Sequence, residues 1–166
     1  MTGTGAVTLA GNLQYEFVPP NENCQGLNFS ATVARPIRGA TVQVLNASSQ
    51  ALLGTAIADE NGDYLVEELP ENTQVTLQVR AELKGGIGAA TWDVEVRDNF
   101  IPGGSDFNAD GTRAAQPPYE AGPLYVLDGG TFDSGAGAQT RNLVAETGWN
   151  GARYSAARAA APFAVL

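Results

Sequence analysis

Thr73–Leu83 reads TQVTLQVRAEL. Val75, Leu77, Val79, Ala81 and Leu83 are apolar, and Thr76, Gln78, Arg80 and Glu82 stand between them. Successive side chains of a strand point to opposite faces, so this alternation predicts a half-buried antiparallel strand. The stretch TWDVEVRD (91–98) repeats the pattern, with Trp92, Val94 and Val96 expected inward and Asp93, Glu95 and Arg97 outward. Between them, KGGIGAA (84–90) suits the closing loop of a hairpin. That hairpin would set Arg80 against Asp93 or Glu95 on its outer face, a surface pair contributing about 0–1 kcal/mol.

Working outward, the same period recurs. NLQYEFV (12–18) offers Leu13, Tyr15 and Phe17 to one face, and LNFSATV (27–33) offers Leu27, Phe29, Ala31 and Val33. ATVQVLN (40–46) offers Val42 and Val44. ALLGTAIA (51–58) and DYLVEEL (63–69) flank a turn that gathers Asp59, Glu60, Asn61, Gly62 and Asp63. Short strands separated by turn signals at this spacing predict a β-sandwich. The acidic turn reads as a hairpin: Gly62 accepts positive φ without steric cost and Asn61 tolerates it. A calcium loop of the helix-loop-helix type needs helical flanks and a distal bidentate glutamate, whereas the flanks here are strand-like.

Composition narrows the functions. Of 166 residues, 43% are hydrophobic, enough for a core, and only 16% are charged, with 20 Gly and 9 Pro. That is a turn-rich, β-leaning chain. The net charge of −9 opposes nucleic acid and anionic lipid, and the nine Lys and Arg form no basic run. The chain has no histidine, which removes Ser-His and Cys-His catalysis and His-ligated zinc. A single cysteine, Cys24, allows no intrachain disulfide and reads as a small packed side chain. No stretch approaches the roughly 20 apolar residues of a membrane-spanning helix. The opening MTGTGAVTLAG lacks the basic start and apolar stretch of a secretory signal, as expected of an initiator Met placed on a mature domain.

The last third changes character. Phe100–Gly122 is dense in Gly, Pro, Asn and Asp and loses apolar periodicity, which marks a long loop. Within it, Asp106, Asn108 and Asp110 alternate before Gly111, the opening of a calcium loop whose oxygens can converge on one hard cation. The twelfth position is Pro117 instead of glutamate, so further ligands would come from the Thr112 carbonyl, Asp98, Asp128 or Asp133. A solvated turn has the same composition, and both readings stand. PLYVLDGG (123–130) reads as a strand entering a turn and QTRNLVAE (139–146) as another strand, with Trp149 packing across the end of the sandwich. Asp128 and Asp133 flank a Gly-rich turn without the aromatic-lined cleft expected around a glycosidase pair. SAARAAAPFAVL (155–166) suits a short Ala-rich helix that Pro162 would interrupt. The expected organisation is a sandwich over 1–99, a long loop with a candidate calcium site over 100–122, added strands over 123–154, and an apolar extension over 155–166.

Residues 35–83 resemble the carboxypeptidase regulatory-like domain, a transthyretin-like β-sandwich related to Cna B-type domains. The resemblance lies in PIRGATVQV (36–44), TAIADENGDYLV (55–66) and LPENTQVTLQV (69–79). It implies an accessory domain without catalytic residues. Some Cna B-type domains form a Lys–Asn isopeptide bond from an early strand. Here the lone lysine, Lys84, ends a late one, so the resemblance does not extend to that bond. A wider resemblance runs through LQYEFVP (13–19), ARPIRGATVQVL (34–45), VRAEL (79–83), the Trp92–Asn99 segment, LYVLDGGTFDSG (124–135) and TRNLVAETGWNGARYSAARAAAPFAVL (140–166). It is similar to the N-terminal part of a group of secreted bacterial proteins whose second domain carries a His-Glu-x-x-His-like metallopeptidase signature.

The expected fold is therefore an all-β, transthyretin-like antiparallel β-sandwich with a long loop insertion and a short C-terminal helical extension. The expected function is non-catalytic: a secreted, periplasmic or cell-surface module supporting a downstream domain of the same polypeptide. The alternative is a structural or adhesive module that self-assembles with like subunits or binds a glycan or protein. Calcium on Asp106, Asn108, Asp110 and Thr112 is the one cofactor expectation, and it is separable from both.

Overall fold

The computed structural model describes residues 5–23, 25–97, 123–152 and 161–166. The chain is an all-β sandwich of two antiparallel-rich sheets with one short C-terminal helix, as the alternation predicts. In chain order the strands are β1 (Ala6–Phe17), β2 (Val33–Pro36), β3 (Ala40–Asn46), β4 (Leu52–Ile57) and β5 (Asp63–Pro70). They continue with β6 (Gln74–Ile87), β7 (Ala90–Glu95), β8 (Val126–Asp133), β9 (Gln139–Thr140) and β10 (Leu143–Ala145), followed by helix α1 (Ala161–Val165).

The first sheet is built on β1. β5 and β2 lie antiparallel to it, over Ala6–Asn12 and Gln14–Phe17 respectively. β9 and β10 run parallel to it, at Leu9–Ala10 and Leu13–Tyr15. QTRNLVAE is thus a strand in two pieces, interrupted at Arg141–Asn142. The interruption is bonded throughout: the Arg141 N–H donates to the Ala10 carbonyl (2.8 Å), and the Asn12 N–H donates to the Asn142 side-chain oxygen (2.9 Å). The chains approach so closely that a Cβ on Gly11 would overlap the Arg141 carbonyl. The Tyr64 phenol donates to that same carbonyl (2.8 Å), and burial pushes its pKa up to about 12, against the opposing pull of Arg141.

The second sheet runs β4-β3-β6, with β8 and β7 sharing the far edge of β6 end to end. Val75, Leu77, Val79 and Ala81 are fully buried against Val7, Leu9 and Leu13 of the first sheet. Each such Val or Leu contributes about 1.5–3 kcal/mol relative to exposure. β8 continues through the expected glycine turn: Gly129–Gly130 is a bulge between the Gln78–Asp128 and Thr76–Thr131 pairs, not a chain reversal. Strands from residues 123–145 complete both sheets, so 6–97 alone do not make the whole sandwich.

Four short connections carry the chain between sheets, after β2, β4, β5 and β8, and the first two coincide with motifs quoted above. In Pro36–Gly39 the Ile37 N–H extends the pairing of β2 with β1, donating to the Leu13 carbonyl (2.9 Å), while its side chain is fully buried. Gly39 then turns at φ 66°, where Leu83 leaves no room for a Cβ. The Asp59–Asp63 turn is the second crossing, which corrects the hairpin expectation. β4 pairs with β3 and β5 with β1, so the turn joins different sheets. Asp59 accepts from the N–H groups of Asn61 (2.8 Å) and Asp63 (2.9 Å). Asn12 of β1 grips the turn from outside, donating to the Asn61 carbonyl and the Asp63 carboxylate. The acidic and amide side chains there hold backbone, which is what turn-forming Asp and Asn do.

Two other strand expectations fail locally. Leu27–Val33 contains a 3-10 turn at Phe29–Ala31, and Leu27, Phe29 and Val33 are exposed. β6 and β7 do form a hairpin, turning at Gly88–Ala89, but Trp92 and Val94 face solvent; only Val96 packs against the core. The hairpin runs beyond the ends of β3 and β8, so no opposing layer among the described residues meets its apolar side.

Candidate functional site

The features with potential for recognition sit at one end of the sandwich, where β1 finishes and β2 begins. Tyr15, Phe17, Val33 and Arg35 occupy the inner face there, since Leu13 two residues earlier points into the core. Helix α1 lies beside Tyr15 and Arg35. Phe163 is buried in the core cluster and Leu166 packs against it, whereas Val165 faces out. Pro162 is the second residue of α1 as described, and residues 153–160 before it, which include the start of the expected Ala-rich helix, lie outside the described residues.

Between α1 and the end of β2 lies a cavity of about 410 Å³, lined by Tyr15, Arg35, Pro36, Arg38, Phe163 and the ends of α1. The Arg35 guanidinium lies over the Phe17 ring, its central carbon 3.7 Å from the centroid. Beside this mouth, Trp149 stacks on Phe29 with ring centroids 5.1 Å apart. The segment carrying Trp149 is pinned to β1 by the Thr147 N–H, which donates to Glu16 (2.8 Å). Trp149, expected to pack across the end of the sandwich, thus rests instead on Phe29, and both rings stay exposed.

A second polar constellation lies where β6 passes from β8 to β7. Here β6 carries two extra residues against β3, between the Thr41–Arg80 and Ala40–Leu83 pairs. At this bulge Glu82 is buried beneath the Arg80 and Lys84 side chains, and Leu83 is only partly buried. Arg80 Nε donates to Glu82 (2.9 Å), and Lys84 lies 3.3 Å from Glu82, 3.3 Å from Glu95 and 3.6 Å from Asp93. Arg97 holds the outer side of Glu95. Arg80 therefore pairs along its own strand, and Lys84 takes the cross-strand role expected of Arg80. Burial alone would raise the Glu82 pKa, but Arg80 and Lys84 outweigh it and hold the carboxyl below the usual glutamate range. Glu82 first, then Glu95, raise the Lys84 pKa and keep it protonated. A protonated ammonium is no nucleophile, so the geometry gives Lys84 an ionic role.

The expected metal ligands Asp98, Asp106, Asn108, Asp110 and Thr112 lie outside the described residues, as does Cys24. Asp128 and Asp133 are described, and each holds its own turn. Asp128 accepts from the Gly130 N–H (2.8 Å); Asp133 accepts from the Gly135 N–H (2.7 Å) and the Gln74 amide (3.1 Å). Among the described residues no three Cys, Asp or Glu converge as a metal site, and no helix is long and apolar enough to cross a membrane. The mouth residues Arg35 and Arg38 were not among those singled out from sequence. The available signal was ARPIRG, which places two guanidinium groups three residues apart in an acidic chain.

No protein-family model matches the chain, and no curated protein is similar to it. Among solved structures, a 9R-lipoxygenase from Cyanothece PCC8801 aligns over 83% of this chain and 16% of its own, at 12% identity and a TM-score of 0.33. The chain spans about a sixth of that protein, and a similarity at this level carries no argument about fold or activity.

Proposed function

We propose that this chain is a non-catalytic, extracellular β-sandwich module that positions or supports a downstream metallopeptidase-like domain of the same polypeptide. The observation that supports this reading is the placement of the C-terminal segment. Phe163 is anchored in the core beside β1, while Val165 stays outside, 73% exposed. A segment held to the sandwich through Phe163 and Leu166 suits a stem that sets the orientation of whatever follows. The resemblance of residues 140–166 to the N-terminal part of secreted metallopeptidase-like proteins points the same way. Calcium on Asp106, Asn108, Asp110 and Thr112 would stiffen the module without taking part in chemistry.

The intact mass of the native protein from its source organism tests the proposal. A mass well above 17.2 kDa, with His-Glu-x-x-His in the added sequence, is expected. A native mass of 17.2 kDa would overturn it and put the second reading first. That reading is a self-assembling or adhesive module, and it draws on the apolar side of the β6–β7 hairpin, where Ile87, Trp92 and Val94 are exposed. Thermal melting with EDTA and with added calcium tests the metal separately: a melting temperature unmoved by either removes calcium from the proposal.

A further inference from the structure

We propose that the cavity at the mouth of the sandwich is a binding site for a carboxylate carried on a short apolar body. Two guanidinium groups and an apolar wall meet there. Arg35 and Arg38 line it together with Tyr15 and with Phe163 and Leu166 of the C-terminal segment. The volume of about 410 Å³ lies within the range of small-ligand sites, roughly 300–1,000 Å³.

The charges are placed to receive an anion. Elsewhere among the described residues, Arg80, Lys84 and Arg97 are bonded to Glu82, Glu95 or Asp93, and Arg141 lies by itself over the Phe132 ring with no second cation beside it in a cavity. At the mouth, neither Arg35 nor Arg38 has a carboxylate within salt-bridge distance among the described residues. The Arg35 guanidinium carbon is held 3.7 Å from the Phe17 ring centroid, a contact that uses no hydrogen-bond acceptor and leaves carboxylate recognition to the N–H donors. A planar guanidinium matches a carboxylate in bidentate geometry, and a second one nearby adds a second pair of donors. In a chain of net charge −9, an anion would find few such places. The Phe163 side of the cavity offers nothing to a bare anion but can cover a chain of a few methylene groups.

This inference rests on one part of the reading above, the docking of α1 at the mouth, and requires nothing beyond Leu166. The experiment is a titration of the isotope-labelled full chain with hexanoate, followed by amide NMR. Parallel titrations use hexanol, which has the same tail without the charge, and inorganic phosphate, which has charge without a tail. Hexanoate is expected to shift the amides of Tyr15, Arg35, Ile37, Arg38 and Phe163 in a saturable way. Hexanol and phosphate are each expected to bind at least tenfold more weakly. Arg38→Gln should weaken hexanoate at least tenfold, and Arg38→Lys should recover part of the loss. Equal binding of hexanol would reduce the site to an apolar groove and overturn the proposal. Equal binding of phosphate would remove the role of the apolar wall and overturn it equally. Unchanged affinity in Arg38→Gln would also sink it. Hydrogen exchange at Phe163–Leu166 separates the two ideas. Protected amides with no hexanoate shift would reject the ligand alone, whereas unprotected amides would reject the docking of α1 and the site together.

Discussion

β6 is one strand with two fates. From Gln74 to Ala81 its apolar side is buried against the first sheet, with Val75, Leu77, Val79 and Ala81 at zero exposure. From Glu82 to Ile87 the strand continues with β7 as its partner, and its apolar side meets solvent, with Ile87 78% exposed. The alternation of Thr73–Leu83 gives way to glycines at 85 and 86 and resumes in the partner strand, where Trp92 and Val94 carry it. The difference lies in what stands opposite: another sheet for the first half, nothing among the described residues for the second. A period of two thus reports which residues share a face and does not report whether that face has a layer to pack on.

The largest test of this comparison is a pair of truncations. Leu77→Ala removes a side chain closed in by the core and by Gly129 of the β8 bulge, where an added Cβ would lie 2.9 Å from the leucine. It should cost about 3 kcal/mol in urea denaturation, within the range for buried leucine. Val94→Ala on the exposed half should cost under about 0.5 kcal/mol. Similar losses at the two positions would mean that the hairpin side is covered after all.

The junction between the halves comes next. Glu82 is the residue whose burial breaks the alternation, and Arg80 and Lys84 hold its carboxylate ionised. Glu82→Gln should cost about 1 kcal/mol near neutral pH, at the low end for charged hydrogen bonds because both cations are partly solvated. The sign of the pH dependence follows from a folded pKa lowered below the unfolded one. The stabilisation is complete above the ordinary glutamate value of about 4.3 and is lost as pH falls through the folded value beneath it. Urea midpoints measured from pH 7 downward should therefore converge for the two proteins. A constant gap would show that the loss comes from packing instead of charge.

These sites also show what was legible in the chain. The strands over 12–17, 40–46, 63–69 and 73–81 follow from alternation because each has a sheet across from it. PIRG and DENGD were legible as punctuation, since Gly39 and Gly62 sit at positive φ. What they connect was not legible. A two-sheet crossing and a hairpin use the same turn residues, and only the pairing partners of β4 and β5 distinguish them. Leu27–Val33 failed for the reason β7 did: apolar spacing without a partner layer. The mouth was hidden because it joins residues 15, 35, 38 and 163, which no local pattern links.

On the first sheet, Tyr64→Phe tests a bond that links β5 to the break between β9 and β10. Losing the phenol donor to the Arg141 carbonyl should cost about 1 kcal/mol. The wild type carries an alkaline signature as well. Its phenol has a folded pKa raised to about 12, so the associated stability is present below about pH 10 and is lost as pH rises toward 12. The phenylalanine variant lacks that loss, and the two unfolding curves should draw together over this interval. Curves that stay parallel would mean that the phenol is not held in the folded state.

The smallest global effect belongs to Trp92, and it makes the sharpest distinction between the halves of β6. Its ring lies against Gly85 across the hairpin, close enough that a Cβ there would meet the indole. One side of the ring is supported by glycine backbone and the other is open, which leaves the residue 44% exposed. A two-stranded ribbon is marginal by itself in water, so this contact should govern local opening of the hairpin more than unfolding of the sandwich. Trp92→Ala should shift the urea midpoint by less than the equivalent of about 0.5 kcal/mol. Amide exchange at Lys84–Glu95 should nevertheless quicken severalfold, while Val75–Val79 keeps its protection. If exchange at Val75–Val79 quickens by the same factor, the hairpin and the sandwich open as one unit, and the division of β6 into two halves describes burial without describing stability.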